Sequence, residues 1–479
     1  MNLPLPFVAR QRELDYLRQL LERRRPGPAQ LFLLYGRRRI GKTALLLEWA
    51  GRSNLPTTYW AAEKEPADLQ RRKLFARITG LPIPQTPLFG SWSELWDAAA
   101  VIFADQRRIL ILDELPYAVE ADPATLSALQ HAWDGLFQRS NLVIVLCGSQ
   151  VKTMESLQTH QSPLFGRLTG QWHLEPLAFT ALSEFFPGWP AEERLAAYAI
   201  VGGVPAYLNW LDPDLSLSDN IRRVILSPGS MFLAEPTFLL YDEVREPQSY
   251  LAILKAIGLG HHTPADISNA ALISISHLSA YLARLQDLKL VERRLPAAQP
   301  PRQRRVSKSG RYHLADPYFR FYFRFIAPFH DYLPYDTERV LARIRQDLRA
   351  FVGATAFEEL ARQWVIEQGA AGRLPLRPEI VGAHWSRKVQ ADVVAVDWAN
   401  RQLLLGECKW GDGRVDRQTV RELIDGKGAL LRRELEDGDG WQFHYALFSR
   451  AGLTPAAAAE LRAYDGLNVD LARLDAELY

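Results

Sequence analysis

Residues 31–49 read LFLLYGRRRIGKTALLLEW. The apolar run Leu31–Leu34 leads into the loop Gly36-Arg37-Arg38-Arg39-Ile40-Gly41-Lys42-Thr43, and a helix-like run, Ala44–Trp49, follows it. Two glycines bracketing a loop between strand and helix let backbone N–H groups converge on phosphate oxygens, and the helix N-terminus adds favourable partial charge. In this pattern Gly36 and Gly41 shape the loop, Lys42 reaches the β- and γ-phosphates, and Thr43 holds Mg²⁺. The stretch therefore predicts a site for ATP and Mg²⁺ at the carboxyl edge of a buried sheet. Arg37, Arg38 and Arg39 are as well suited to solvent as to phosphate, because arginine is the default cation of this chain, and they stay outside the predicted site.

Downstream, the uninterrupted apolar run Ile109–Leu112 delivers Asp113 and Glu114. Strands of this kind are buried on both faces of a parallel sheet. At the end of such a strand Asp113 can join the Mg²⁺ shell and Glu114 can polarise the attacking water. Ser149, after the apolar run Leu142–Leu146, is suited to contact water or the γ-phosphate. Further strands are expected at Thr57–Ala61 and Gln171–Leu174.

The 479 residues exceed one hydrophobic core and suggest about three domains. With 57 basic against 55 acidic residues the net charge is +2, so no global field announces nucleic acid and any binding face must come from local clustering. The two cysteines, Cys147 and Cys408, lie far apart in apolar runs, which supports neither a disulfide framework nor a zinc site. No basic N-terminal segment leads into an apolar run, and the strongest apolar stretches, around Leu110 and Val143, fall short of the roughly 18 residues a membrane span needs. A cytoplasmic protein without a membrane partner is expected.

Four domains are expected along the chain. Residues 1–174 alternate strands and helices as a nucleotide-binding core, and residues 175–246, with Gly202, Gly203 and Pro205, read as a small helical lid. Residues 247–350 have the winged-helix layout: three helix-like pieces, then Leu290–Leu295 and Tyr312–Leu314 around an arginine-rich loop. Ser274–Leu288 would be its recognition helix, and Arg302, Arg304, Arg305, Lys308 and Arg311 would decorate the wing. Such a cluster suits phosphate contacts, whereas Ser276, His277 and Ser279 offer little base readout. The dense aromatics between Asp316 and Phe329 are most simply core packing.

Residues 351–479 begin a new α/β unit. A helix over Ala354–Glu367 puts Phe357, Leu360, Ala361, Trp364 and Val365 on one face, bordered by Glu358. Ala391–Asp397 and Gln402–Trp410 then read as a hairpin. If Asp397 pairs with Gln402, Asp392 lies opposite Glu407, and Lys409 shares the face of Glu407 because strand side chains repeat every two residues. Two carboxylates and an ammonium suit phosphodiester hydrolysis: Asp392 and Glu407 would coordinate Mg²⁺ or Mn²⁺, and Lys409 would orient or activate water. Glu358 joins them as a candidate catalytic carboxylate.

The stretches FVARQREL at 7–14, GRRRIGKT, LDEL at 112–115, CGSQ at 147–150, SPLFGR at 162–167, GGVPAYL at 202–208, YHLADPYFRFYFRF at 312–325 and GECKW at 406–410 span nearly the whole chain. With them the chain resembles the prokaryotic, archaeal-type ATPase family related to AAA+ and STAND NTPases that carries a C-terminal PD-(D/E)xK nuclease-like domain. The resemblance implies an α/β P-loop NTPase with a parallel sheet and helical lid, then a winged helix and a restriction-endonuclease-like α/β domain. It also implies that Phe7–Leu14, with Arg10, lies near the adenine, that Gly203–Pro205 closes the lid on the base, and that Arg167 acts as an arginine finger, which in a neighbouring subunit would require a homo-oligomer. Ala9, Gln11 and Gln390 depart from the glycine, glutamate and glutamate common there. Two functions follow: an ATPase controlling metal-dependent cleavage of DNA, or an ATP-driven switch that binds DNA or a protein partner without cutting.

Overall fold

Every residue of the strand Gln30–Tyr35 (β1) is buried, and its side chains divide between two cores. The computed structural model describes residues 7–23, 27–104, 106–244 and 246–478; the ends of the first and last expected domains, residues 1–6 and 479, lie outside the described residues. Contacts divide the chain into two units: residues up to 177 with 204–209, and residues 178–203 with those from 210 onward.

In the first unit β1 is joined by Thr57–Ala61 (β2), Arg108–Asp113 (β3), Leu142–Gly148 (β4) and Gly170–His173 (β5) in a parallel sheet of order β2-β3-β4-β1-β5. Alternate residues point to opposite faces, so Leu31, Leu33, Leu110, Leu112, Ile144 and Leu146 pack with Trp92, Trp96 and Phe137. Phe32, Leu34, Ile109, Ile111, Val143 and Val145 pack with Leu45, Leu46 and Trp49 of the helix Lys42–Ser53. The unbroken apolar runs are the consequence of these two cores.

In the second unit the helices Pro247–Gly258, Pro264–Ala271 and Ile275–Asp287 precede Val291–Arg294 (β6) and Arg311–Leu314 (β7), an antiparallel pair in the register Arg294 opposite Arg311. Tyr318, Phe319, Phe321, Tyr322, Phe323 and Phe325 are buried, as core packing requires, while Phe329 is only half-buried.

The second sheet has the order β12-β11-β10-β9-β8, built from Ile380–Trp385 (β8), Gln390–Asp397 (β9), Gln402–Lys409 (β10), Gln442–Ser449 (β11) and Leu467–Asp470 (β12). The β9–β10 hairpin is antiparallel and pairs Asp397 with Gln402 through to Val393 with Gly406. One face packs Val393, Ala395, Leu404 and Phe448 against Phe357, Leu360, Ala361 and Trp364 of the helical stretch that includes Glu358–Ala370. Leu195 and Ala199 of the helix Ala191–Val201 belong to the same cluster, so this part of the expected lid contributes to the second core. The other face packs Val394, Val396, Leu403 and Leu405 against Val420, Leu423 and Leu431. Among the described residues no helix is long and apolar enough to cross a membrane.

Trp364 is 1% exposed and donates from its indole N–H to Glu477 at 2.8 Å. Trp364→Ala is expected to cost the second unit about 3–5 kcal/mol, the usual loss for emptying an aromatic core position. Urea unfolding followed by fluorescence and circular dichroism measures it, and a loss under about 1 kcal/mol would show that this helix does not hold the sheet.

Candidate functional site

The phosphate loop is held from inside. A side chain at Gly36 would bring its Cβ to 2.3 Å from the Leu174 carbonyl oxygen and 2.5 Å from Ile40, so only glycine fits this turn. Gly41, at φ 87°, caps the helix Lys42–Ser53 in the left-handed region that glycine adopts without strain. Lys42 is 6% exposed and donates to the loop's own carbonyls, Gly36 at 2.9 Å and Arg37 at 3.0 Å. Burial lowers its pKa from the usual lysine value, against the opposing pull of Cys147, Glu114 and Asp113.

Asp113 is 2% exposed and gathers the neighbouring donors. Its Oδ2 accepts from the Thr43 hydroxyl at 2.7 Å and from the Tyr59 hydroxyl at 3.0 Å, while Oδ1 accepts from the Glu114 amide at 2.9 Å. Glu114 sits at φ 48°, an uncommon backbone setting for a residue with a side chain. Its Oε2 accepts from the Ser149 hydroxyl at 2.8 Å and the Ser149 amide at 3.2 Å. Thr43, Asp113, Glu114 and Ser149 are therefore one hydrogen-bonded set, and Lys42 feels the charges of Asp113 and Glu114. Tyr59 belongs to the set and was absent from the sequence expectation; its pKa is raised, first by burial and then by the charge of Asp113. Thr43 and Asp113 offer hard oxygens of the kind that suit Mg²⁺, and a hydroxyl–carboxylate pair of this sort fits such an ion.

Arg10 grips the loop's flank: its guanidinium donates to the carbonyls of Ile40 at 3.2 Å and Glu175 at 2.6 Å and pairs with Glu13 at 2.7 Å. Pro205 lies close to the loop, its Cγ 3.8 Å from where a Cβ on Gly41 would stand, and the Ala206 amide donates to the Arg39 carbonyl at 3.4 Å. Arg167 makes its contacts outside the connected set. Its guanidinium takes both oxygens of Asp134 at 2.7–3.0 Å and the carbonyls of Pro163 and Phe165, and this pairing lowers the Asp134 pKa.

A second set of charges lies at the ends of β9 and β10. Asp392 Oδ2 accepts from the Cys408 amide at 2.9 Å. Glu407, 7% exposed, is bridged by two ammonium groups: Lys409 at 2.9 Å on Oε1 and Lys427 at 2.5 Å on Oε2. Lys427 comes from the helical segment Glu422–Gly428, and no spacing tied it to the hairpin; the scarcity of lysine in this arginine-rich chain was its only signal. Glu358 pairs with Arg362 at 3.3 Å, and Arg362 also donates to the Asp392 carbonyl at 2.8 Å.

Burial, then the charge of Asp392, push the Glu358 carboxyl up to about 7. Burial, then the charge of Glu407, raise that of Asp392. Lys409 is raised because its hydrogen bond to Glu407 and the attraction of Glu407 and Asp392 outweigh burial. Carboxyls raised by burial and by a neighbouring negative charge fit a divalent cation in charge, since such an ion would offset both. As the side chains stand, no group of three or more His, Cys, Asp or Glu among the described residues is arranged to hold a metal. Glu407 would have to release an ammonium partner to do so.

Residues 7–211 match the family described as an ATPase domain predominantly from Archaea, and residues 322–422 match one described as archaeal and bacterial proteins of unknown function. The protein MJECL04 of Methanocaldococcus jannaschii, itself uncharacterized, is 32% identical over 449 residues, 93% of this chain and 95% of its own. Among solved structures, the Walker-type ATPase PABY2304 of Pyrococcus abyssi is 20% identical, with a TM-score of 0.47 over 66% of this chain and 96% of that one. The ORC2 protein of Aeropyrum pernix, solved with ADPNP and ADP, is 17% identical, with a TM-score of 0.48 over 73% of this chain and 98% of that one.

The raised Glu358 pKa has a consequence for stability. Its folded value of about 7 exceeds its ordinary 4.5, so the folded protein loses stability as pH rises through that window, relative to its stability below about pH 4.5. Glu358→Gln removes the ionisation. In EDTA the variant should match the parent's pH trend below pH 4.5 and gain on it up to about pH 7, by at most about 3 kcal/mol. Urea unfolding at closely spaced pH values measures the gap, and a gap constant across the window contradicts the assignment.

Proposed function

We propose that this chain, which belongs to the family of the M. jannaschii protein MJECL04 and contains an ATPase domain, uses its nucleotide state to control DNA binding and metal-dependent DNA cleavage. The observation that carries the nucleotide half is the bond between Thr43 and Asp113 at 2.7 Å, with Glu114 held beside them by Ser149. In the proposed roles Lys42 leaves the loop carbonyls for the β- and γ-phosphates of ATP, and Thr43 and Asp113 hold Mg²⁺. Glu114 orients and polarises the attacking water, and Ser149 fixes Glu114. Bound Mg²⁺ would neutralise charge developing on the phosphates. Arg10 supports the loop that faces the nucleotide, and Pro205 lies beside it. Arg167, held by Asp134 on both oxygens within this chain, would act as an arginine finger only toward the site of a neighbouring copy.

The cleavage half is supported by the crowding of Glu358, Asp392 and Glu407 with Lys409 and Lys427. Asp392 and Glu407 would hold Mg²⁺ or Mn²⁺, which supplies Lewis-acid activation when bound. Lys409 orients water or supports charge on the phosphodiester, and Lys427 offers a second ammonium on the same carboxylate. The three helices followed by β6 and β7 support the winged-helix reading of this segment, and the sheet of β8–β12 flanked by helices supports a restriction-endonuclease-like one. A second reading, a switch that binds DNA without cutting, is favoured by one observation: both oxygens of Glu407 are already taken by ammonium groups.

Incubating circular and linear DNA with the full chain, Mg²⁺ or Mn²⁺, and with or without ATP separates the two readings. Cleavage by the parent is expected, lost at least about 100-fold in Asp392→Asn, Glu407→Gln and Lys409→Ala while ATP hydrolysis persists. No cleavage by the parent under any of these conditions overturns the nuclease reading and leaves the switch. Cleavage that survives Glu407→Gln assigns the cut elsewhere.

A further inference from the structure

Five exposed cations lie on two neighbouring loops of the second unit: Arg302, Arg305 and Lys308 between β6 and β7, and Arg387 and Lys388 in the turn between β8 and β9. The loops are tied together. The Ala297 amide donates to the Ala383 carbonyl at 2.9 Å, and the Trp385 indole donates to the Ser309 carbonyl at 3.1 Å. The Arg311 guanidinium lies 4.9 Å from the centroid of the Trp385 ring. Two of the cations expected to decorate the wing are thus structural: Arg311 stacks on Trp385, and Arg304 donates to the Pro296 carbonyl at 2.9 Å.

No acidic residue occurs in 297–311 or in 385–390. An acid tied to the second loop, Glu434, is engaged by Ser386 at 2.7 Å and His384 at 3.4 Å. From Lys388 the chain enters β9 and reaches Asp392 four residues on, about 13 Å along an extended strand.

We infer that the β6–β7 loop and the β8–β9 turn form one continuous track for the phosphate backbone of duplex DNA, leading toward Asp392. This rests on the DNA-binding part of the proposed function and adds to it Arg387 and Lys388, from a different sheet. The kind of partner follows from the side chains. Exposed guanidinium and ammonium groups meet phosphates without reading bases, so the affinity is independent of sequence and steep in salt. Single strands are usually held by aromatic platforms. Trp385, the aromatic within these two loops, is half-buried and already carries Arg311 on its ring, so the track suits a duplex, whose bases are stacked inside and whose phosphates face out.

The test is the full chain with Arg387→Ser and Lys388→Ser together, titrated against a mixed-sequence duplex and against one of its single strands by fluorescence anisotropy over a range of salt. Removing two phosphate contacts should flatten the log–log salt slope by about two units and weaken binding about thirtyfold at 0.15 M salt. Exchanging the two residues for each other's cation, Arg387→Lys with Lys388→Arg, should restore both. An unchanged melting temperature establishes that the serine variant is folded, as expected for an exposed turn. A parent that binds duplex with a variant of the same slope and affinity overturns the track alone. A parent that binds no duplex at any salt overturns the DNA reading and the track with it. A variant that loses single-stranded but not duplex affinity overturns the assignment of the partner.

Discussion

A carboxylate at the end of a buried strand must be met by donors or by a cation, because an isolated charge there costs several kcal/mol. The first unit is arranged around that constraint. Asp113 ends a strand whose apolar residues pack into two cores, and Thr43, Tyr59 and the Glu114 amide all turn toward it. These donors come from the helix after the phosphate loop, from the neighbouring strand and from the next residue in the chain. Satisfying Asp113 therefore fixes the register of β2 on β3 and the start of the helix Lys42–Ser53 in one step. Glu114, strained at φ 48°, is kept in position by Ser149 from the adjacent strand end.

The second sheet meets the same constraint with different means. Glu407 lies at the end of a buried strand and is matched by two ammonium groups, while Asp392 accepts a backbone amide and Glu358 relies on Arg362. The compensation is incomplete, since Glu358 and Asp392 are both held above the usual carboxylate range. Burial, with the neighbouring charge added to it, favours proton or cation uptake here, whereas a structural ion pair leaves its carboxyl below that range. Asp134 under Arg167 is the contrasting case on the same chain, lowered by its pairing.

Local patterns made much of this legible. The uninterrupted apolar runs gave the buried parallel strands, and the two-residue period put Glu407 and Lys409 on one face once the hairpin register was set at Asp397 and Gln402. What depended on distant segments was not legible. Tyr59 reaches Asp113 only because β2 pairs with β3, and its strand carries no motif. Lys427 reaches Glu407 from a helix beyond a loop of unremarkable composition. The helix Ala191–Val201 has the apolar spacing of any amphipathic helix, and that spacing does not say which core it joins. Arg311 could be read as a wing cation until its stacking on Trp385 was visible.

On the proposed reading the strand-end carboxylates are held for chemistry and not merely for folding. The most direct measurement is nucleotide affinity and turnover of Glu114→Gln, by calorimetry with ATP and by phosphate release. Glutamine keeps the shape and still accepts from Ser149 through its carbonyl oxygen, but it cannot take a proton from water. Affinity within about threefold of the parent and turnover lower by at least about 100-fold are expected. Affinity and melting temperature that collapse together with turnover would contradict that reading and make Glu114 a structural residue.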